Sequence, residues 1–233
     1  MIDPRALDKQ DAAERSVNLV QPGMVVGLGS GSTARVVIEE IGRRLERRVL
    51  NEVLGVGTSR AAQRHALACG IPLTTLENHP EVDLTIDGAD EVDRDGNLLK
   101  GAGGALLWER IVAECSRRLV IVVDRTKLVA RLGTQFPLPI EVTAFGWSTH
   151  LAAIRALGGE PVLRMGGGAT PYRTDESHYV IDARFPDGIP DPELVVRTLR
   201  SRPGVVETGL FLNLSPEVIV GRTAREPAEA GDP

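Results

Sequence analysis

Aromatic residues are scarce, at 3% of the 233-residue chain. A protein that stacks nucleic-acid bases needs aromatic platforms, so that mode of binding is disfavoured. There is no basic run to track a phosphate backbone either. The formal net charge is −5, which also argues against docking on an anionic membrane surface. Cysteine is nearly absent. Cys69 and Cys115 are far apart and fall in helical patterns. That excludes a disulfide framework and a zinc site and predicts buried thiols in a reducing compartment. No apolar run approaches the length of a membrane span. The opening residues, MIDPRALDKQDAAERS, are charged and lack the apolar segment of a signal peptide. These gaps predict a soluble, cytoplasmic protein. The 42% share of hydrophobic residues still supplies a core, built from Val, Leu, Ile and Ala.

What is present alternates. MVVGLG, NEVLGVG, VDLTID and RLVIVVD read as short buried strands. DAAERSVNLV, STARVVIEEIGRRL, SRAAQRHALACG and ALLWERIVAECS read as helices between them. Such alternation predicts an α/β fold, a Rossmann-like parallel sheet covered on both faces. From FPLPIEV onward the order becomes β-α-β-β-α-β, ending in VVETGLFL. This predicts a second, smaller α+β unit of split-βαβ, ferredoxin-like type. PEVIVG can return as a last strand of the first sheet. The expected division is 1–134 plus 212–222 for the larger unit, 135–211 for the smaller, and a disordered polar tail at 223–233.

Ligands of parallel sheets bind outside the carboxyl ends of the strands. The four loops there, at 29–33, 57–59, 87–90 and 124–127, are expected to converge on one crevice. In the first, GLGSGSTA, glycines allow close backbone approach and a helix N-terminus offers donors. Ser30, Gly31, Ser32 and Thr33 are therefore candidates to hold a phosphate. A dinucleotide fits less well, because the next strand ends in Thr58 and Ser59 where an acidic residue is wanted. A bare structural turn also stays open.

The stretch DGADEVDRDGNLLKGAGGALLWER (87–110) crowds carboxylates beside a glycine turn. A calcium loop fails, since placing Gly96 sixth puts Ala102 where a bidentate Glu is required. A magnesium site stays open. Asp87 and Asp90 follow a buried strand and are expected to face the crevice. Glu91, Asp93 and Asp95 are expected to be solvated. Glu109 has Ala105, Leu106, Val112 and Ala113 at helical spacing, so it is a carboxylate on an apolar face about two turns into its helix. Desolvation there would raise its pKa and suit it to general-base work. Its neighbour Glu114 has Arg110, Arg117 and Arg118 in reach, as on a solvated face. Lys100 can neutralise an aspartate or stabilise an oxyanion. Lys127 follows another strand end. Lys9 could reach over from the first helix. His65, His79, His150 and His178 show no metal-ligand spacing, and no nucleophile elbow is present.

In this order the segments GLGSGSTA, VGTS, DGADEVD, LKGAGGALLWERIVA, VVDRTKLVARLG and RPGVVETGLF resemble ribose-5-phosphate isomerase, type A, over nearly the whole chain. The resemblance implies interconversion of ribose 5-phosphate and ribulose 5-phosphate in the pentose phosphate pathway, without metal or organic cofactor. It implies a small sugar phosphate as partner. The smaller unit carries little evident catalytic content, so it is expected to pack against a partner subunit, in a homodimer or homotetramer. Glu109 matches the family's general base. Asp87, Gly88, Ala89 and Asp90 match the segment that holds sugar hydroxyls and assists ring opening. Lys100, Gly101, Ala102 and Gly103 match the lysine and glycine turn. Ser30–Thr33 match the substrate loop, Lys127 the phosphate-side lysine, and Lys9 an N-terminal lysine. Trp108, Ala102 and Thr126 depart from the family's usual residues. Two other classes remain. A sugar-phosphate sensor would not need Glu109 on an apolar face, and the stretch before the first strand is too short to predict a DNA-binding segment. An amino-sugar phosphate deaminase would want a histidine in the four loops, and none falls there.

Overall fold

The computed structural model describes residues 4–222, so the tail expected at 223–233 lies outside it. In chain order the first half contains α1 (Pro4–Val17), β1 (Val25–Leu28), α2 (Gly31–Glu46), β2 (Leu54–Gly57), α3 (Arg60–Ala68) and β3 (Leu84–Asp87). Then come β4 (Glu91–Val92), β5 (Leu98–Leu99), α4 (Leu106–Glu114) and β6 (Leu119–Val123). The second half contains β7 (Leu138–Val142), α5 (Leu151–Ala156), β8 (Glu160–Leu163) and β9 (Tyr179–Arg184). It closes with α6 (Pro192–Arg200), β10 (Val205–Thr208), β11 (Leu210–Phe211) and β12 (Glu217–Val220).

A parallel sheet has the order β12-β6-β3-β1-β2. Its strands are short, apolar and flanked by glycine or aspartate, which suits a sheet buried on both faces. Alternation along each strand divides the core. Val26, Leu28, Leu84, Ile86, Val120 and Val122 pack against α1, α2 and α3 through Ala12, Val17, Val37, Ile38, Ile41, Ala62 and Ala66. On the other face, Ile121 and Val123 meet Leu106 and Phe211, and Val25 meets Val112 of α4. Asp87, one residue after Ile86, therefore points to the α4 side. The order of connections reverses between β1 and β3, which opens a crevice at their carboxyl ends.

A second sheet, β10-β7-β9-β8, is antiparallel throughout. With α5 and α6 it forms the expected β-α-β-β-α-β unit. Leu138, Ile140, Ile181 and Ala183 pack there against Ile154, Val195 and Leu199.

Four expectations are revised. VVETGLFL is two strands, not one. The chain leaves the second sheet at Gly209 and β11 joins β5 and β4 in a small third sheet. At the crossing, Gly209 N–H donates to Pro139 O and Gly209 O accepts from Lys100 N–H, both at 2.8 Å. Glu91 is fully buried instead of solvated. It accepts from the N–H groups of Gly133, Gln135 and Phe136 at 2.5, 2.6 and 2.8 Å. Asp95 is exposed as expected, while half-buried Asp93 closes its turn by accepting from Asp95 and Asn97 N–H. Arg110 does not share a solvated face with Glu114. It is buried 3.8 Å over the Phe211 ring and 3.4 Å from Glu207, because α4 lies between the parallel sheet and β10 and buries two sides. Arg117 and Arg118 pair instead with Glu81 and Glu217. The two cysteines, expected to be buried, are free and only half-buried, because they lie at the exposed C-terminal ends of α3 and α4. Among the described residues no helix is long and apolar enough to cross a membrane.

Candidate active site

The loop after β1 turns on Gly29. A Cβ there would fall 2.1 Å from Asp87 Oδ1 and 2.5 Å from Asp87 Cα, so only glycine lets β1 and β3 run this close. Ser30 is the N-cap of α2 but makes no side-chain cap bond. Its hydroxyl donates to Ser59 Oγ at 2.7 Å and meets Thr58 Oγ1 at 2.9 Å. A serine has one hydroxyl proton, so Ser30 braces the loop instead of offering that proton to a ligand. The backbone N–H groups of the first turn of α2 and the hydroxyls of Ser32 and Thr33 remain as anion donors. Lys9 Nζ lies 2.9 Å from Ser32 Oγ, so α1 delivers a cation to this loop.

Asp87 is buried. Its Oδ1 accepts from Ser30 and Gly88 N–H at 3.0 and 2.7 Å, and its Oδ2 accepts from Lys100 Nζ at 3.0 Å. Lys100 is 3% exposed, also donates to Gly88 O, and comes within 3.6 Å of Glu109 Oε1. Burial alone would lower its pKa. The charges of Asp87, Glu109 and Asp90, with the Asp87 hydrogen bond, outweigh that and hold the ammonium above the ordinary lysine value.

Glu109 stands in the first turn of α4, not two turns in, because the helix begins only at Leu106. It is buried, and its Oε2 has no hydrogen-bond partner among the described residues. Desolvation pushes its pKa up to about 8, opposed by Lys100 and aided by the Asp87 and Asp90 charges. Asp90 Oδ2 accepts from Ala102 N–H at 2.9 Å, which fastens the glycine turn across the crevice.

These groups line one crevice of about 200 Å³. Its walls include Lys9, Ser30, Gly31, Ser32, Thr33, Gly88, Ala89, Asp90, Lys100, Gly101, Gly103, Glu109 and Lys127. Asp87 and Ala102 stand behind it. The expected 57–59 loop is not in the wall; Thr58 and Ser59 are buried behind Ser30, since β2 is the edge strand beyond β1. Lys127 Nζ lies 4.3 Å from the Phe136 ring centroid. Asp124 and Thr126 also line the crevice, with Asp124 Oδ1 accepting from Thr126 N–H at 2.9 Å. The sequence signal for Asp124 was its place at the end of a strand. A larger hollow of about 350 Å³ lies beside Trp108 and Ile111. Exposed Glu77 is its one ionisable wall residue among the described residues, so they offer no convergent chemistry there. Among the described residues no three His, Cys, Asp or Glu side chains gather as a metal-ligand set.

The crevice thus has two ends. One carries helix N-terminal donors and lysines, suited to a phosphate. The other carries a buried carboxylate near neutral pKa beside a fixed ammonium. That pairing suits removal of a proton from carbon next to a carbonyl, with the cation beside the oxygen that gains charge.

Comparison with known proteins points the same way. A family model described as ribose 5-phosphate isomerase A (phosphoriboisomerase A) matches residues 54–225. Ribose-5-phosphate isomerase A of Synechococcus sp. (strain JA-3-3Ab) is 46% identical over 213 residues, covering 91% of this chain and 92% of its own. The structure of ribose 5-phosphate isomerase A from Methanocaldococcus jannaschii aligns with a TM-score of 0.86 at 38% identity, over 92% of this chain and 94% of that one. A D-ribose-5-phosphate isomerase solved in complex with phospho-erythronic acid aligns at 0.88 with 36% identity, over 91% and 93%. With matches of this extent in sequence and in fold, the chain belongs to the ribose 5-phosphate isomerase A family.

Proposed function

We propose that the protein interconverts D-ribose 5-phosphate and D-ribulose 5-phosphate through an enediolate, with Glu109 carrying the proton. The observation that supports this most is the state of Glu109: one oxygen buried without a partner among the described residues, the other 3.6 Å from Lys100 Nζ. In the open-chain aldose, the Glu109 carboxylate takes the C2 proton. The C–H pair becomes the C1–C2 double bond and the carbonyl pair moves to O1. Glu109 then returns the proton to C1, the O2 proton passes to O1, and C2 becomes the carbonyl. Lys100 stabilises the enediolate charge. The α2 N-terminus, Ser32, Thr33, Lys9 and Lys127 hold the phosphate and so supply orientation.

Asp87 already accepts three hydrogen bonds, so its role is to fix Lys100 and the loop and to assist ring opening. Half-exposed Asp90 is the freer acceptor for a sugar hydroxyl. Gly88, Ala89, Gly101, Ala102 and Gly103 supply backbone around the sugar. Phospho-erythronic acid, present in one solved relative, carries a planar anionic oxygen pair beside hydroxylated carbons, as an enediolate does. Neither metal nor organic cofactor enters this reading, because the ammonium fills the electrophile's place.

We further infer that residues 1–134 and 212–222 act as the catalytic unit and 135–211 as the unit of self-association, giving a homodimer or homotetramer in the cytoplasm. Phe145 and Val162 of the smaller unit are 95% and 66% exposed, which supports an apolar contact there. Sedimentation velocity checks the assembly. The function is tested by exchange of the C2 hydrogen of ribose 5-phosphate in deuterated water. Wild type exchanges it during turnover and Glu109→Gln does not. Exchange by the variant at the wild-type rate would assign the base elsewhere.

A further inference from the structure

The glycine turn 101–104 is gripped from outside the parallel-sheet unit. Arg164, directly after β8, turns Nη1 toward two successive carbonyls, Gly101 O at 3.1 Å and Ala102 O at 3.0 Å. Its other nitrogens are fixed by Asp182 of β9, Nε to Oδ2 at 2.8 Å and Nη2 to Oδ1 at 2.5 Å. Such a two-point pair sets the plane of the guanidinium. Tyr172 OH donates to the third carbonyl, Gly103 O, at 3.2 Å. The two residues are tied to each other, since Tyr172 N–H donates to Arg164 O at 2.9 Å. The turn is shaped for this contact: a Cβ on Gly104 would lie 2.3 Å from Tyr172 Oη.

In a trans peptide the C=O of one residue and the N–H of the next point in opposite directions. With the Gly101 and Ala102 carbonyls held on Arg164, the N–H groups of Ala102 and Gly103 face the other way. The first is seen to do so, donating to Asp90 Oδ2 at 2.9 Å. The second belongs to a residue in the crevice wall. A cation on the Ala102 carbonyl also polarises that peptide and makes Gly103 N–H a stronger donor.

We propose that Arg164 and Tyr172 are positioning residues for the isomerisation: they fix the 101–103 peptides so that Gly103 N–H meets the oxygen that gains charge. The inference rests on the isomerase reading of the crevice. Neither residue touches the substrate; both act through the turn. The smaller unit thereby completes the catalytic centre.

The test uses the full chain and two variants, Arg164→Met and the milder Tyr172→Phe, with Arg164→Lys as the conservative control. Misplacing a catalytic donor costs about 10²-fold, so Arg164→Met should lower kcat by about that factor. KM for ribose 5-phosphate and competitive inhibition by inorganic phosphate should stay near wild type, because the phosphate end is untouched. Inhibition by phospho-erythronic acid should weaken in step with kcat/KM. Tyr172→Phe should show the same pattern at smaller amplitude, and Arg164→Lys should recover part of the loss. Amide hydrogen exchange should accelerate at 101–104 in Arg164→Met and not at 30–33, a readout that needs no turnover. Unchanged kcat and turn exchange in both folded variants would overturn the proposal. So would a joint loss of kcat, KM and phosphate inhibition with a lowered Tm, which is the mark of a merely structural role. If wild type fails to isomerise ribose 5-phosphate while the turn still loosens in the variant, the isomerase reading falls and the grip on the turn stands.

Discussion

Replacing Glu109 by Gln should make the protein more stable in alkaline solution while disabling it. Burial holds the Glu109 carboxyl at about 8, against an ordinary value of 4.5. The sign follows from linkage. Between those values the folded chain keeps a proton on Glu109 and the unfolded chain does not, so unfolding releases a proton and stability falls as pH rises. The stabilisation is complete below about 4.5 and lost by about 8. Each pKa unit is worth about 1.4 kcal/mol, so from pH 5 to pH 9 the wild type should lose about 4 kcal/mol that the Gln variant keeps. A loss of that size is a large share of a typical domain's total stability. Urea unfolding of both proteins at several pH values measures it. The contact of the Gln amide with Lys100 adds a constant offset that cancels when the difference is followed against pH. On the proposed mechanism the same titration governs activity: kcat/KM of the wild type should climb with pH and level off above about 8, because only the carboxylate form of Glu109 could accept the C2 proton. A stability difference that stays flat from pH 5 to pH 9 would refute the reasoning, since Glu109 would then titrate as an ordinary glutamate.

Other expectations follow from single contacts. Gly29→Ala drives a Cβ into the backbone of Asp87, which cannot rotate away. It should cost about 1–3 kcal/mol of stability and move the loop proposed to hold the phosphate, both readable by urea unfolding and by the isomerase assay. Lys127→Ala should raise KM by about tenfold and leave kcat nearly unchanged, because a phosphate contact is present in ground and transition states alike. An unchanged KM would mean that its contact with Phe136 is its whole role. Turnover should survive EDTA; loss in EDTA with recovery on adding magnesium or manganese would overturn the proposed metal-free mechanism.

The parts of the site that the sequence made legible are those encoded locally. Glu109 stood out because its helical neighbours were apolar, and the structure buries it on that side. Asp87 and Lys100 sat at a strand end and a glycine turn, and they meet at 3.0 Å. What stayed illegible depends on contacts distant along the chain. Glu91 looked like part of a polar turn, yet the N–H groups it satisfies belong to residues 133–136. Ser30 looked like a phosphate ligand, but Thr58 and Ser59 take its hydroxyl, and only strand order brings those loops together. Lys9 had no local reason to reach Ser32. Arg110 carried an exposed-looking pattern because periodicity along one helix cannot report that α4 is covered on two sides. The break of VVETGLFL between two sheets was hidden for a related reason: either half is a good strand, and the pairing partner decides.

The way the sheets join explains why the buried charges hold still. Lys100 is one of the residues through which the units meet. Its N–H donates to Gly209 O at the crossing from β10 to β11, and its ammonium donates to Asp87 at the end of β3. Backbone and side chain are thus anchored to different sheets, and the glycine turn that follows is held by Arg164 from a third direction. A lysine free to swing would neutralise Glu109 directly and pull its pKa back toward that of a solvated acid. Held between Asp87 and Gly88, it stays 3.6 Å from Glu109 Oε1, near enough to stabilise an enediolate. Glu109 keeps its raised pKa of about 8 under these conditions, and with it the basicity that proton abstraction requires.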